Sequence, residues 1–245
     1  MTILNNLRRS LLRRMRNAPI EALDPRIPHS VVIPVATYSP WRADRDFQDV
    51  YASIKGNTLV DIYRCHDLWS LIGQLDKIPG DILEVGVWKG GTGCLMAARA
   101  SRLTTSKKVF LCDTFSGVVK TSDKDTLYAG GEHADSTRHE VEALAARLRL
   151  DNIGILTGVF PEQTGAEIEA RKFSFCHIDV DAYLSAKDVF DWILPRLALH
   201  GMVVFDDYGF FGCEGVTHLV NELSGAPDFH VFHNLNGHAV MLKIA

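Results

Sequence analysis

From about residue 80 onward the chain alternates short, continuously apolar runs with stretches of helical periodicity. A strand covered on both faces is apolar at nearly every position, and helices that link such strands must cross back over the sheet. The order therefore predicts a parallel sheet with helices on both sides. Strands are expected at 81–87, 108–114, 152–160, 173–181 and 201–208, with helices at 93–103, 137–150, 161–170 and 183–199. Pro161 is read as the first residue of the 161–170 helix. After a helix near 215–224, apolar runs at 229–233 and 238–244 flank Asn236-Gly237, a turn pair suited to an antiparallel hairpin. The expected fold is α/β and Rossmann-like: a seven-stranded, mostly parallel sheet closed by a C-terminal antiparallel hairpin. Residues 1–80 read as a mainly helical N-terminal extension, punctuated by prolines between 25 and 40, that caps the site or makes subunit contacts. Residues 81–245 form the main domain.

With 245 residues, 47% of them hydrophobic, the chain is long enough for one large core. A formal net charge of −4 offers nucleic acid no general attraction, and no nucleic-acid partner is expected. No apolar run reaches the length of a transmembrane segment, and the basic N-terminus is not followed by a signal-peptide core. Arg8, Arg9, Arg13, Arg14 and Arg16 crowd one segment with Leu7, Leu11, Leu12 and Met15. This reads as an amphipathic helix, solvated or packed between subunits rather than anchored on a membrane, so a homo-oligomer is expected. Cys65, Cys94, Cys112, Cys176 and Cys213 are scattered and include no C-x-x-C pair, which fits reduced thiols in a cytoplasmic protein.

Two apolar runs end in paired acids: Asp179 and Asp181 after the fourth strand, Asp206 and Asp207 after the fifth. Strands that finish in carboxylates present them at the carboxyl edge of the sheet, where open α/β folds bind ligands. Two neighbouring strands would there hold a hard divalent cation between oxygen ligands. Read structurally, Asp181 instead caps the helix starting near Tyr183, and Asp206-Asp207 merely open a loop. Four such acids at two strand ends favour the metal.

The first strand runs into Glu84-Val85-Gly86-Val87-Trp88-Lys89-Gly90-Gly91-Thr92-Gly93. Glycines at a strand-to-helix turn let a ligand approach the backbone and the helix N-terminus. The dinucleotide pattern G-x-G-x-x-G is absent. The spacing E-x-G-x-x-x-G-G instead resembles the first motif of class I methyltransferases. Asp113, just past the second strand, stands where a ribose diol needs an acceptor.

Together, PGDILEVGVWKGGTG, DTFSG, GVFPE, HIDVDAY and VVFDDY resemble the macrocin O-methyltransferase (TylF/MycF) family from about residue 57 to the C-terminus. That resemblance implies a class I methyltransferase fold and a magnesium-dependent enzyme. The reaction would move a methyl group from S-adenosylmethionine to a sugar hydroxyl on a glycosylated natural product or glycan. It implies metal ligation by Asp179, Asp206 and Asp207, with Asp181 as general base. Glu84, Gly86 and Asp113 would fall in the cofactor site, together with Val87, Gly90, Gly91, Thr92, Thr114 and Phe115. The segment 121–136, where relatives shape the sugar pocket, departs from the family pattern and leaves the acceptor open.

The chemistry is coherent with these residues. Sulfonium methyl transfer needs no redox group; it needs an aligned oxygen and a place for its proton. A cation among carboxylates lowers the pKa of a hydroxyl while a neighbouring carboxylate takes the proton. Asp179 and Asp181 would project to one side if the strand pattern continued that far. His177 is expected to pack in its strand, and His218 to face solvent or a subunit. His233 and His238 flank the hairpin. Trp88 and Lys89 lie in the glycine turn, over the cofactor or in the core. Tyr208, Phe210 and Phe211 follow the second acid pair, as sugar-facing rings or plain packing. Residues 37–41 and 57–58 are candidates to close over the site. A magnesium-dependent methyltransferase of a catechol or phenol, and a catalytically silent nucleoside-binding protein, remain the alternative readings.

Overall fold

The computed structural model describes residues 3–245. Its elements run, in chain order, α1 (Ile3–Met15), β1 (Pro19–Ile20), β2 (His29–Ser30), α2 (Arg45–Ile54), α3 (Ile62–Ile72), β3 (Asp81–Val85), α4 (Gly91–Ala100), β4 (Val109–Asp113), α5 (Arg138–Arg147), β5 (Ile153–Thr157), β6 (Phe173–Ile178), α6 (Tyr183–Ile193), β7 (Leu197–Phe205), α7 (Glu214–Leu223), β8 (Phe229–His233) and β9 (Ala239–Lys243). The main sheet has seven strands in the order β5-β4-β3-β6-β7-β9-β8. The first five are parallel, and β9 and β8 return antiparallel, as the alternation and the Asn-Gly turn predict.

This order places the site. After β3 the chain builds outward through β4 and β5, then crosses back to lay β6 on the other side of β3. The crossovers on the two sides diverge at that point, which opens a crevice above the carboxyl ends of β3 and β6. Gly86 leaves β3 and Asp179 leaves β6 at this crevice. The two backbones are so close that a Cβ on Gly86 would meet the Asp179 carbonyl oxygen, and Gly86 has φ 87°, a conformation that favours glycine.

Two cores flank the sheet. One joins Leu83, Phe110, Phe173 and Phe205 to α6 and α7 through Val189, Phe190, Leu219 and Val220. The other joins Ile82, Leu111, Phe175 and Val204 to α4 and also to Phe47, Ile54, Leu68, Trp69 and Ile72 of α2 and α3. The boundary expected at residue 80 therefore does not separate two cores, because α2 and α3 supply part of the main one. Of that 1–80 range, residues 1 and 2 lie outside the described ones. Both helices are capped locally: Asp44 accepts from the N–H of Phe47, and Asp61 from the N–H groups of Tyr63 and Arg64. The apolar face of α1 stays exposed, with Leu7 63% and Leu11 59% accessible.

Beyond shifts of a few residues at strand ends, such as β7 starting at Leu197 and β5 ending at Thr157, three differences from the sequence reading matter most. The expected helix at 161–170 is only a 3-10 turn, Gly165–Ile168, in a stretch whose Thr164-Gly165 pair has poor helix propensity. The helix expected to reach 199 ends at Ile193, because Pro195 cannot continue it. β6 stops at Ile178, and Asp181 turns into the left-handed region with φ 61°. The strand alternation therefore does not carry from Asp179 to Asp181.

Candidate active site

A cavity of about 300 Å³ opens over the carboxyl ends of β3, β4, β6 and β7. One end is the glycine turn, with Gly86, Val87, Trp88 and Thr92 against Asp113 and Thr114. The other end is walled by Asp179, Asp181, Asp206 and Asp207. All four sequence-identified acids thus reach one space.

At the turn, Asp113 is a scaffold before it is anything else. Its Oδ2 accepts from the N–H groups of Val87 (2.6 Å) and Trp88 (2.8 Å), and its Oδ1 from the N–H of Phe115 (2.7 Å). An ionised carboxylate has about four acceptor sites, so roughly one on Oδ1 is left for a ligand hydroxyl. Glu84 stands apart from its expected place. It is fully buried beneath the turn, its Oε1 2.9 Å from His177 Nδ1, and it does not line the cavity. Gly90, Gly91 and Phe115 are also outside the lining. Gly90 (φ 83°) caps α4 against Val141, Gly91 packs on Asn57 and Thr58, and Phe115 packs on the α2–α3–α4 core. Gly86, Val87, Thr92, Asp113 and Thr114 do line it.

At the acidic end, ligand atoms of Asp179, Asp206 and Asp207 lie within 4.8 Å of one another, and Asp181 and Asp207 form a second such close set with the Cys213 thiol. The backbones of Asp181 and Asp207 are both left-handed, φ 61° and 60°, a conformation aspartate tolerates and functional sites collect. Asp181 does not cap α6: the N–H of Tyr183 donates instead to Asp125 Oδ1 (2.9 Å). The structural reading of Asp181 as a helix cap is thereby removed.

The charges here are unevenly compensated. Burial and the neighbouring Asp206 push Asp179 well above the usual carboxylate range, and burial with Asp206, Asp179 and Asp181 does the same to Asp207. Burial also raises Asp181, although Asp207, the Tyr128 hydroxyl and His133 oppose the rise. Asp206 behaves in the opposite way. Burial alone would raise it, but the nearby His177, the hydrogen bond with His238 and the charge of Arg64 hold it far below that range.

The sequence reading placed His177 in its strand and His238 beside the hairpin, but missed Arg64 and the convergence of all three on Asp206. His238 Nε2 lies 2.8 Å from Asp206 Oδ1 and its Nδ1 2.9 Å from Asp67 Oδ2; burial disfavours the charged ring, yet these two carboxylates outweigh it and raise its pKa. His177, also fully buried, lies between Glu84 and Asp206 Oδ1, the latter 3.5 Å away. Burial disfavours its charge, yet the two carboxylates outweigh it and hold its pKa at about 10. Arg64 reaches in from α3 to contact Asp206 Oδ2, 3.3 Å from Asp207 Oδ1.

Other candidates scatter. Thr58 lines the cavity, but Trp41 packs on Tyr63 and His66. Phe210 lines it, whereas Tyr208 packs on His233 and Phe211 on His29. Trp88 lines it and donates to Asp135, which Lys89 also binds. His218 does not face solvent; its Nε2 lies 2.7 Å from Asp24 Oδ2 in the N-terminal segment. Tyr128 and His133, from the divergent segment 121–136, add polar groups to the acidic end.

A donor set made of oxygens alone, and short of positive charge at Asp179, Asp181 and Asp207, fits a hard cation such as magnesium better than a soft one. The glycine turn beside it, where backbone replaces side chains, fits the approach of a nucleoside.

Comparison with known proteins gives this arrangement a lineage. A 4'-O-methyltransferase of 8-demethyl-8-(2,3-dimethoxy-α-L-rhamnosyl)-tetracenomycin C from Streptomyces olivaceus is 26% identical over 174 residues, 66% of each chain. The mycinamicin III 3''-O-methyltransferase of Micromonospora griseorubida is 27% identical over 187 residues, 70% of this chain and 73% of that one. This chain thus spans about two thirds of the length of the relatives it matches. Among solved structures, the O-methyltransferase NovP superposes with a TM-score of 0.66 at 20% identity, covering 77% of this chain and 83% of that one. A calicheamicin methyltransferase gives 0.62 at 20% identity, covering 84% and 94%. These structures share the class I methyltransferase fold. The model of the macrocin-O-methyltransferase (TylF) family matches residues 44–227, which takes in α2, α3 and every acid of the cavity, and the chain belongs to that family.

Proposed function

We propose that the protein transfers a methyl group from S-adenosylmethionine to a sugar hydroxyl of a glycosylated small molecule, with magnesium held by Asp179, Asp206 and Asp207. One observation carries this reading: the three acids converge within 4.8 Å in the same cavity that the Gly86 turn and Asp113 floor. The relatives' rhamnosyl and mycinamicin acceptors support a sugar as the substrate class. The polar groups of Tyr128 and His133 on the acceptor side support it further, and Phe210 offers a ring face for a sugar to lie against.

When bound, magnesium supplies positive charge that lowers the pKa of a nearby hydroxyl, and S-adenosylmethionine supplies the electrophilic methyl. The chain does the rest. Gly86, Val87 and Thr92 seat the cofactor, and the remaining acceptor site on Asp113 Oδ1 takes a ribose hydroxyl. Asp181, whose pKa burial raises, stands in the cavity as the carboxylate to take the acceptor's proton, and the Tyr128 hydroxyl steadies its charge. His238 and His177 engage Asp206 Oδ1 from below, which leaves Oδ2, the oxygen that Arg64 contacts, toward the cavity.

Five buried, unpaired cysteines support a reducing, cytoplasmic setting. Among the described residues no helix is long and apolar enough to cross a membrane. The exposed Leu7 and Leu11 on α1 support a subunit contact.

The test is incubation of purified protein with isotopically labelled S-adenosylmethionine against rhamnosylated aglycones and simple catechols, with and without chelator. Label on a sugar oxygen, dependent on magnesium, is expected. Label only on phenols, or none despite tight cofactor binding, refutes the sugar reading.

A further inference from the structure

Arg64 sits on the first turn of α3, and the chain fixes it from behind. Asp61 accepts from its backbone N–H, and Asp61 Oδ2 from its Nε (2.9 Å). The guanidinium then crosses the cavity with its carbon 4.4 Å from the Phe210 ring centroid, and Nη1 ends on Asp206 Oδ2 beside Asp207 Oδ1. The residue is only 6% exposed.

The atoms involved matter more than the proximity. Asp206 Oδ1 is committed to His238 and faces His177, so Oδ2 is the oxygen left to meet a cation in the cavity. That oxygen is the one Arg64 contacts. A guanidinium cannot shed its proton to relieve repulsion from a second cation on the same oxygen. It can only move.

We propose that Arg64 is a built-in cation that competes with the divalent metal for Asp206 and Asp207, so that metal binding draws the guanidinium off those carboxylates. The proposal rests on the metal reading above. It makes α3 and the adjoining 58–60 wall of the cavity responsive to metal, since Thr58, Leu59, Val60 and Arg64 line the same space. It also sets the metal affinity of this chain, because each ion must displace a charge already in place.

The experiment is calorimetric titration of the full chain with manganese, the probe ion, in the wild type, Arg64→Met and Arg64→Lys. Methionine keeps the length and apolar contact with Phe210 but removes the charge. Arg64→Met is expected to bind manganese roughly tenfold tighter or more, since a like charge a few ångströms away is gone. Its melting temperature should also rise further with metal than that of the wild type. Arg64→Lys keeps the charge and should stay near the wild-type affinity. Equal or weaker binding by Arg64→Met overturns the proposal and makes Arg64 an orienting partner of Asp206. If neither the wild type nor Arg64→Met binds manganese, the metal reading itself falls. Should Arg64→Met fail to fold, NMR of the wild type carries the test. The Arg64 Nε–H resonance, assigned by its loss in Arg64→Lys, should move during titration with diamagnetic magnesium, and a resonance unchanged at saturating metal overturns the proposal.

Discussion

At the glycine-turn end of the cavity, Asp113 is surrounded by backbone N–H donors: Val87, Trp88 and Phe115 all bond to it. At the other end, Asp179, Asp181 and Asp207 face mainly other carboxylates, with Asp207 reached by Arg64 at 3.3 Å, whereas Asp206 is met by His177, His238 and Arg64 together. The first end is finished by the chain itself, from main-chain groups that hardly depend on side-chain identity. The second is left short of positive charge, and such a cluster is costly unless a cation joins it. One end is therefore a shaped seat and the other an electrostatic demand. Perturbing them should have effects of different size and kind.

The largest effect should come from denying that demand. Exhaustive chelation should abolish methyl transfer, and added magnesium should restore it. Full activity after chelation would mean that Arg64 and the histidines meet the demand alone. Within the cluster, Asp181→Asn is nearly isosteric but cannot take a proton, so turnover should fall by roughly 10² to 10⁴ with metal and cofactor binding preserved. Asp179→Asn should instead weaken metal binding, and excess magnesium should recover part of its rate. Rescue of Asp181→Asn by magnesium, without rescue of Asp179→Asn, would exchange the two roles.

The two ends were also unequally legible in the sequence. The turn is local: Gly86 and Asp113 follow strand signals, and five apolar runs with helices between them pointed to a parallel sheet without giving its strand order. The four aspartates could be found because each pair ends an apolar run. Their partners could not. Arg64 is 142 residues from Asp206, and Asp67 is 171 from His238, so no spacing connects them. His238 read as a hairpin flank, yet β9 pairs beside β7 and carries it under Asp206. Asp181 reached the cavity by a left-handed turn, not by the strand alternation that pointed to it. Glu84 was read as a cofactor residue, but its strand face turns it toward His177.

A smaller effect is expected at the seat. Asp113→Ala removes the proposed ribose acceptor and also frees the N–H groups of Val87 and Trp88, so S-adenosylmethionine should bind at least about tenfold more weakly. Asp113→Asn separates the two contributions. Its amide keeps one oxygen acceptor for the turn, so a defect smaller than that of alanine would show that the backbone bonds carry most of the effect. Metal affinity should not change in either variant. A loss of metal binding in Asp113→Ala would show that the two ends are not independent and that the turn also positions Asp179 through the close approach at Gly86.

The smallest effect should appear in stability against pH, in chelator, where the compensation beneath Asp206 is read alone. His177 has its pKa raised from 6.5 to about 10, against the opposition of burial, by the neighbouring Asp206 and Glu84 carboxylates. A cation whose folded pKa is raised stabilises the fold fully below its unfolded value, and that contribution is lost as pH rises through the folded value. The wild-type melting temperature should therefore decline between about pH 6.5 and 10, by several degrees. His177→Asn should be less stable at neutral pH and show a flatter profile over that window, because it has no proton to release there. Parallel profiles would mean that His177 is neutral in the folded chain. Asp206 would then rely on His238 and Arg64 alone, and the contrast between the compensated acid and its three neighbours would narrow.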